Sequence, residues 1–161
     1  MKTDWKRIIL VIGIIVFVII LDFTSKDWAT NTLMGRPVQS YLGDFFRLLY
    51  VRNEGAFLSL GSDLPPFFQF IVLKLFPVIL LTALLFYTLF NKTLDRWHII
   101  AFSSILGGGI ANIYDRLQYG SVVDFMNMGF PGLRTGIFNI ADVFIMIGPF
   151  MMLPQLFRGK Q

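Results

Sequence analysis

The 161-residue chain has no cysteine and a single histidine, His98. Without cysteine there is no disulfide framework, no thiolate nucleophile and no sulfur-rich metal site. One histidine also excludes a His-Glu-x-x-His zinc site and gives a histidine-assisted serine triad poor support. Charge is scarce too. Only 15% of the residues are charged, where a water-soluble domain of this length needs about a quarter to solvate its surface. The 14 basic residues give a net charge of +4 but form no dense run, so nucleic acid is not an expected partner. They sit beside apolar blocks, where they serve membrane orientation.

What is present is hydrophobic: 55% of the chain, with a mean hydropathy of +0.67. Crossing the hydrocarbon takes about 20 apolar residues, and four segments approach that length, at roughly 7–28, 65–90, 97–114 and 137–157. The expected fold is an all-α membrane protein of four transmembrane helices in a single polytopic domain, 1–161, with a small β-containing extracytoplasmic subdomain at about 29–64. Within that subdomain, 38–51 mixes β-formers such as Tyr41, Phe45 and Tyr50 with Gly43 and Asp44 as a turn signal, so short strands are expected. The second long connection, 115–136, contains Gly120, Gly129, Pro131 and Gly132. Pro77 should kink the second span, Lys74 must snorkel or find a partner, and Gly107, Gly108 and Gly109 should let a neighbouring helix approach closely.

Short loops rich in Lys and Arg face the cytoplasm. Lys2, Lys6 and Arg7, then Lys92 and Arg96, then Arg158 and Lys160 fall on one side of a four-span chain. Both termini are therefore expected inside. The basic start and apolar run resemble a secretory signal, but no Ala-x-Ala type site follows, so the first span is expected to stay uncleaved.

Ionisable groups within a span each need a reason. Asp22, Lys26, Asn112, Asp115, Arg116, Asn139 and Asp142 fall at the outer ends of spans one, three and four, and Asp124 lies in the loop between the last two. A polar cluster at a single depth reads as a site. With thiol, histidine and metal chemistry set aside, carboxylates remain. Two close aspartates share a proton and titrate as a unit, one acting as base and the other as acid.

Five stretches carry a resemblance: Asp22-Phe23-Thr24-Ser25-Lys26, Asn53-Glu54-Gly55-Ala56-Phe57, Asn112-Ile113-Tyr114-Asp115-Arg116, Gly120-Ser121-Val122-Val123-Asp124-Phe125 and Phe138-Asn139-Ile140-Ala141-Asp142. In that order they resemble the motifs of the lipoprotein signal peptidases, also called signal peptidase II. The resemblance implies a membrane-embedded aspartyl endopeptidase with Asp124 and Asp142 as its catalytic pair. Asp22, Asn53, Asn112, Arg116 and Asn139 would line the substrate site, with Lys26, Gly55 and Asp115 in support. The implied substrate is a diacylglyceryl-modified bacterial prolipoprotein, cut on the amino side of its lipidated cysteine. No cofactor or metal is implied. The chain would reside as a monomer among the lipids of the bacterial inner membrane, with its active site near the outer face. Phe23 departs from the glutamine usual after the first aspartate, and Ala111 from the glycine that commonly precedes the asparagine.

Plainer roles compete for several of these residues. Asp115 and Arg116 could form an interfacial ion pair, Asn139 could cap the fourth helix, and Gly55 and Gly120 could serve turns with positive φ. His98 suits an interface, and Ser103 and Ser104 suit helix packing. For the whole chain the rival is a small proton-coupled transporter or channel subunit, since intramembrane carboxylates also relay protons. Its weakness is that the acids are not spread through the bilayer depth.

Overall fold

The computed structural model describes residues 4–55 and 64–157. Lys2, Arg158 and Lys160, and the Ala56-Phe57 end of the second motif, lie outside the described residues. The chain is mostly helical, with one small antiparallel sheet. Helix α1 (Trp5–Leu33) leads into strands β1 (Gln39–Tyr41) and β2 (Phe46–Asn53). A helical rod follows, made of α2 (Pro66–Phe70), a π-helical turn (Ile71–Leu75) and α3 (Phe76–Phe90). Then come α4 (Arg96–Tyr119), β3 (Val122–Phe130), β4 (Leu133–Arg134) and α5 (Ile140–Phe157).

Two of these rods, Trp5–Leu33 and Pro66–Phe90, are long and apolar enough to cross a membrane, and Ile140–Pro154 is a shorter apolar helix. Their large side chains point outward: Ile9, Phe17, Phe67, Ile79, Phe86 and Phe150 are each more than half exposed. An outer surface this apolar belongs against lipid.

Hydrogen bonds fix how the helices run. Arg7, at the start of α1, donates Nε–H to the Thr88 carbonyl at the end of α3 at 2.8 Å. Lys26, near the end of α1, reaches Asn112 and Asp115 near the end of α4. Helices α1 and α4 are therefore parallel, and α3 runs against them. The three consecutive glycines of α4 each face a different helix. A side chain at Gly107 would meet Val18 and Ile15 of α1, at Gly108 Ala141 and Ile145 of α5, and at Gly109 Leu81 of α3. Successive helical residues are about 100° apart, so a run of three small residues admits three partners where the sequence suggested one.

Several expectations are corrected. The strand order is β1-β2-β3-β4, so the second connection supplies half the sheet, and the β subdomain is not confined to 29–64. Valines and phenylalanine make 122–130 a good strand, but its glycine and asparagine read as loop. Helix α4 continues to Tyr119, where Gly120 at φ 74° ends it in the left-handed conformation, as a glycine C-cap should. Just before Pro77, where a kink is expected, the helix makes a π-helical turn. Proline removes a donor and clashes with the carbonyl four residues back, and a wider turn at Leu73 accommodates both defects.

Candidate active site

Asp124 comes from β3 and is 3% exposed. Its partner Asn53 comes from β2, and a register shift between Leu48 and Val51 brings them together. Leu48 opposes Met126, yet Val51 opposes Asp124, so β2 carries one extra residue. Side chains alternate faces along a strand, so without that bulge Asn53 would point away from Asp124. With it, Asn53 opposes Val122, on the same face and diagonal to Asp124, and its Nδ2 donates to Asp124 Oδ2 at 2.8 Å.

The other side of the site is the start of α5. Phe138 bridges to Met126 of β3, which delivers the next residue, Asn139, to Asp124. Asn139 is fully buried, and its side chain and backbone N–H make four bonds. Its Nδ2 donates to Asp124 Oδ1 at 2.7 Å and to Asn112 Oδ1 at 3.2 Å. Its Oδ1 accepts from the Asp142 backbone N–H at 2.9 Å, while Asp142 Oδ2 accepts from the Asn139 N–H at 3.2 Å. That exchange is a capping box, with aspartate in the place usually held by glutamate. The plain cap and the bridging position thus coexist in one residue.

Asp142 Oδ1 also accepts from Asn112 Nδ2 at 2.8 Å. The orientation of that amide has a visible cause. Lys26 Nζ donates to Asn112 Oδ1 at 3.0 Å, and an ammonium group can only donate, so the oxygen turns to Lys26 and the NH2 to Asp142. Lys26 also pairs with Asp115 at 2.7 Å and Asp22 at 2.5 Å. Asp22 in turn accepts the Ala141 N–H at 2.8 Å, next to Asp142. One buried cation between two carboxylates ties α1, α4 and α5 together directly behind the pair.

Asp115 and Arg116 are therefore not partners of each other. They point to different sides of α4: Asp115 to Lys26, and Arg116 to the Asn112 carbonyl at 3.2 Å and the Gly55 carbonyl at 2.9 Å. The Gly55 N–H donates to Asn53 Oδ1 at 3.0 Å, so hydrogen bonds hold the segment.

Asp124, Asp142, Asn53, Asn112, Arg116 and Asn139 line one cavity of about 20 Å³, room for a single water-sized molecule. Asp142, Asn112 and Arg116 also border a cleft of about 440 Å³, otherwise walled by apolar residues including Val72, Leu73, Leu80, Ile145 and Met146. Burial pushes the Asp124 carboxyl up to about 6. Asn53 and Asn139 pull against that rise, and the Asp142 carboxylate adds to it. Phe23 packs with its ring tilted against Tyr114, centroids 5.1 Å apart, and lines a separate cleft with Asp27 and Tyr119; it is absent from the lining of the small cavity. His98 sits at the other end of α4 against Asp95, and Ser103 and Ser104 bond back to Ile99 and Ile100 of their own helix.

Residues 14–158 match the family model for signal peptidase (SPase) II. The chain belongs to the signal peptidase II family. Among its relatives, the lipoprotein signal peptidase of Buchnera aphidicola (subsp. Schizaphis graminum) is 36% identical over 146 residues, covering 89% of this chain and 91% of its own. That of Vibrio cholerae serotype O1 is 31% identical over 159 residues, covering 98% and 87%. Two solved structures share the fold, both of a bacterial membrane enzyme determined in meso, at 2.3 Å and 1.9 Å resolution. Their TM-scores are 0.79 and 0.77 at 27% identity, over 92% and 93% of this chain and 87% and 94% of theirs. Signal peptidase II enzymes are aspartic peptidases, so the protein is an enzyme and the transporter reading is set aside.

Proposed function

We propose that this signal peptidase II removes the signal peptide from diacylglyceryl-modified prolipoproteins, with Asp124 and Asp142 as its proton-sharing pair. The observation that carries the assignment is the small cavity onto which both carboxylates face, with Asn139 bonded to each. Two carboxylates at one site hold one proton between them. A water in the cavity gives its proton to the ionised member as it attacks the scissile carbonyl carbon. The protonated member donates a hydrogen bond to the carbonyl oxygen, then supplies the proton with which the nitrogen leaves. Asn53, Asn112 and Asn139 hold the carboxylates in place, so little reorganisation is needed as charge moves. Asp22, Lys26 and Asp115 brace the helix ends from behind, and Arg116 faces the substrate while holding Gly55.

The apolar cleft beside Asp142 suits a substrate that is itself a membrane segment, entering sideways between α3, α4 and α5. In this reading the four rods α1, α2–α3, α4 and α5 all span the inner membrane as one polytopic domain. The termini lie in the cytoplasm, the pair sits near the outer face, and the enzyme works as a monomer.

The test is cleavage of a lipidated prolipoprotein by purified protein in detergent. Asp124→Asn and Asp142→Asn should each lose more than about 10³-fold in kcat, because asparagine can neither take nor give the proton. The double variant should be scarcely worse than either single one, and Asn53→Ala should cut more slowly while staying folded. Substantial cleavage by either aspartate variant at matched expression, or a chelator-induced loss that added metal restores, would defeat the mechanism.

A further inference from the structure

At the end of the molecule opposite the aspartate pair, the first turns of α1 and α4 flank an open cavity of about 630 Å³ whose charged lining is Asp4, Lys6, Arg7 and Arg96. Three cations face it against one carboxylate. Basic flanks are ordinary at the cytoplasmic ends of spans, and Lys6 and Arg96, both exposed, fit that pattern. Arg7 does not. It is only 9% exposed, and a guanidinium carries five N–H donors in a planar fork. One of them, at Nε, meets the Thr88 carbonyl at the end of α3, whereas the buried Nη2 has no partner among the described residues. Taking a guanidinium out of water is costly unless a counter-charge lies close by, so the position calls for an anion beside Arg7.

The surroundings favour the same ligand. Two helices of 29 and 24 residues begin here, and their positive dipole ends add to the cations. Asp4 is partly engaged as the N-cap of α1, accepting the Arg7 N–H at 3.2 Å. Asp95 is engaged likewise by the His98 N–H at 2.9 Å. The rest of the cavity wall is apolar, formed by Ile9, Leu10 and Ile99, and Trp5 and Trp97, the chain neighbours of Lys6 and Arg96, are exposed, as tryptophans are at the headgroup level. A phosphate with hydrocarbon attached matches such a lining, and a free phosphate matches only the charged half.

We propose that this cavity binds the phosphodiester of an anionic phospholipid, with Arg7 donating from beneath, Lys6 and Arg96 from the rim, and an acyl chain lying along Ile9 and Ile99. The proposal rests on reading α1 and α4 as spans that begin at the same membrane face. Purified full-length protein in dodecyl maltoside would be titrated with phosphatidylglycerol or phosphatidylcholine, and bound lipid counted by native mass spectrometry. One phosphatidylglycerol should bind saturably, and phosphatidylcholine should bind far more weakly. Lys6→Gln with Arg96→Gln, and separately Arg7→Gln, should weaken the phosphatidylglycerol affinity by roughly tenfold or more, and the rim pair should leave cleavage in detergent unchanged. Millimolar inorganic phosphate should not compete. Equal affinity in wild type and in the rim variant, which alters exposed residues only, would overturn the site, as would equal binding of the two lipids. Displacement by inorganic phosphate would make it a free-anion pocket and overturn the lipid. Because the chain has no cysteine, a Thr93→Cys variant checks the membrane reading separately. An impermeant maleimide should label it only after permeabilisation, and labelling in intact cells would sink the topology without touching the micelle titration.

Discussion

Asp124 is held in a state that does not favour folding. A carboxyl raised from 3.8 to about 6 binds its proton more tightly when folded than when unfolded. Its folded form is therefore penalised as pH rises through that window, by about 3 kcal/mol once both states are ionised. Below about pH 4 both states are protonated and the penalty vanishes. Asp124→Asn removes the charge but sets an NH2 group against one of two amide donors, Asn53 and Asn139, at a cost of about 1 kcal/mol. The variant should therefore melt a few degrees above wild type at pH 7.5, since about 2–4 °C per kcal/mol is typical near this chain length. That advantage should disappear by pH 4. Thermal scans of purified protein at both pH values decide it: no gain at pH 7.5, or a gain independent of pH, would show that burial of Asp124 has been misjudged. Stability regained when the site is inactivated is what a functional carboxylate pair should show.

Much of this neighbourhood was legible in the sequence at the level of residues and little of it at the level of contacts. Five short motifs named Asp22, Asn53, Asn112, Asp124, Asn139 and Asp142, and their depth in the spans suggested a common site. Nothing local pairs Asp115 with Lys26 of α1 instead of its chain neighbour Arg116, because the outcome depends on which face of α4 packs against α1. Arg7 was read as one more flanking cation for the same reason.

Among elements, the glycines of α4 and the bulge of β2 set the geometry, and only the glycines are readable from pattern. A bulge is one residue of mismatch between two strands, visible only when both registers are known, and 122–130 did not read as a strand at all. The glycines were legible as a site of close approach, and the structure adds how unequal they are. At Gly108 a Cβ would strike the Ala141 carbonyl, which is backbone, whereas at Gly109 it would meet only the end of the Leu81 side chain, nearest at 2.7 Å. Gly108→Ala should push the start of α5 outward and carry Asp142 with it. A loss of about 1–3 kcal/mol in stability is expected from overpacking, with a large fall in kcat. Gly109→Ala should be near neutral, since Leu81 can rotate and alanine favours the helix by up to about 1 kcal/mol. Melting and cleavage assays on the two variants read the contrast directly, and equal effects would mean that α5 is not seated on Gly108.

At the scale of the whole molecule, polarity is sorted by end. The aspartate pair, the three site asparagines and the Lys26 ion-pair cluster lie where α1 and α4 finish and α5 starts. Arg7, Lys6 and Arg96 lie where α1 and α4 begin. Between the two ends the outward faces of α1, α3 and α5 are apolar. A soluble bundle has no reason to sort itself this way, since water surrounds it equally along its length. A bilayer supplies two different faces, and the proposed topology sets the basic end at the cytoplasmic one. If all four rods span, the loop between α3 and α4 is cytoplasmic and the turn between β3 and β4 is outside. Reporter domains fused after Arg96 and after Gly132 should then show opposite locations, a phosphatase reporter being active only at Gly132 and a cytoplasmic fluorescent reporter only at Arg96. Both fusions on one side would mean that α4 does not cross. The small sheet would then need another account of how it meets a substrate arriving from the membrane.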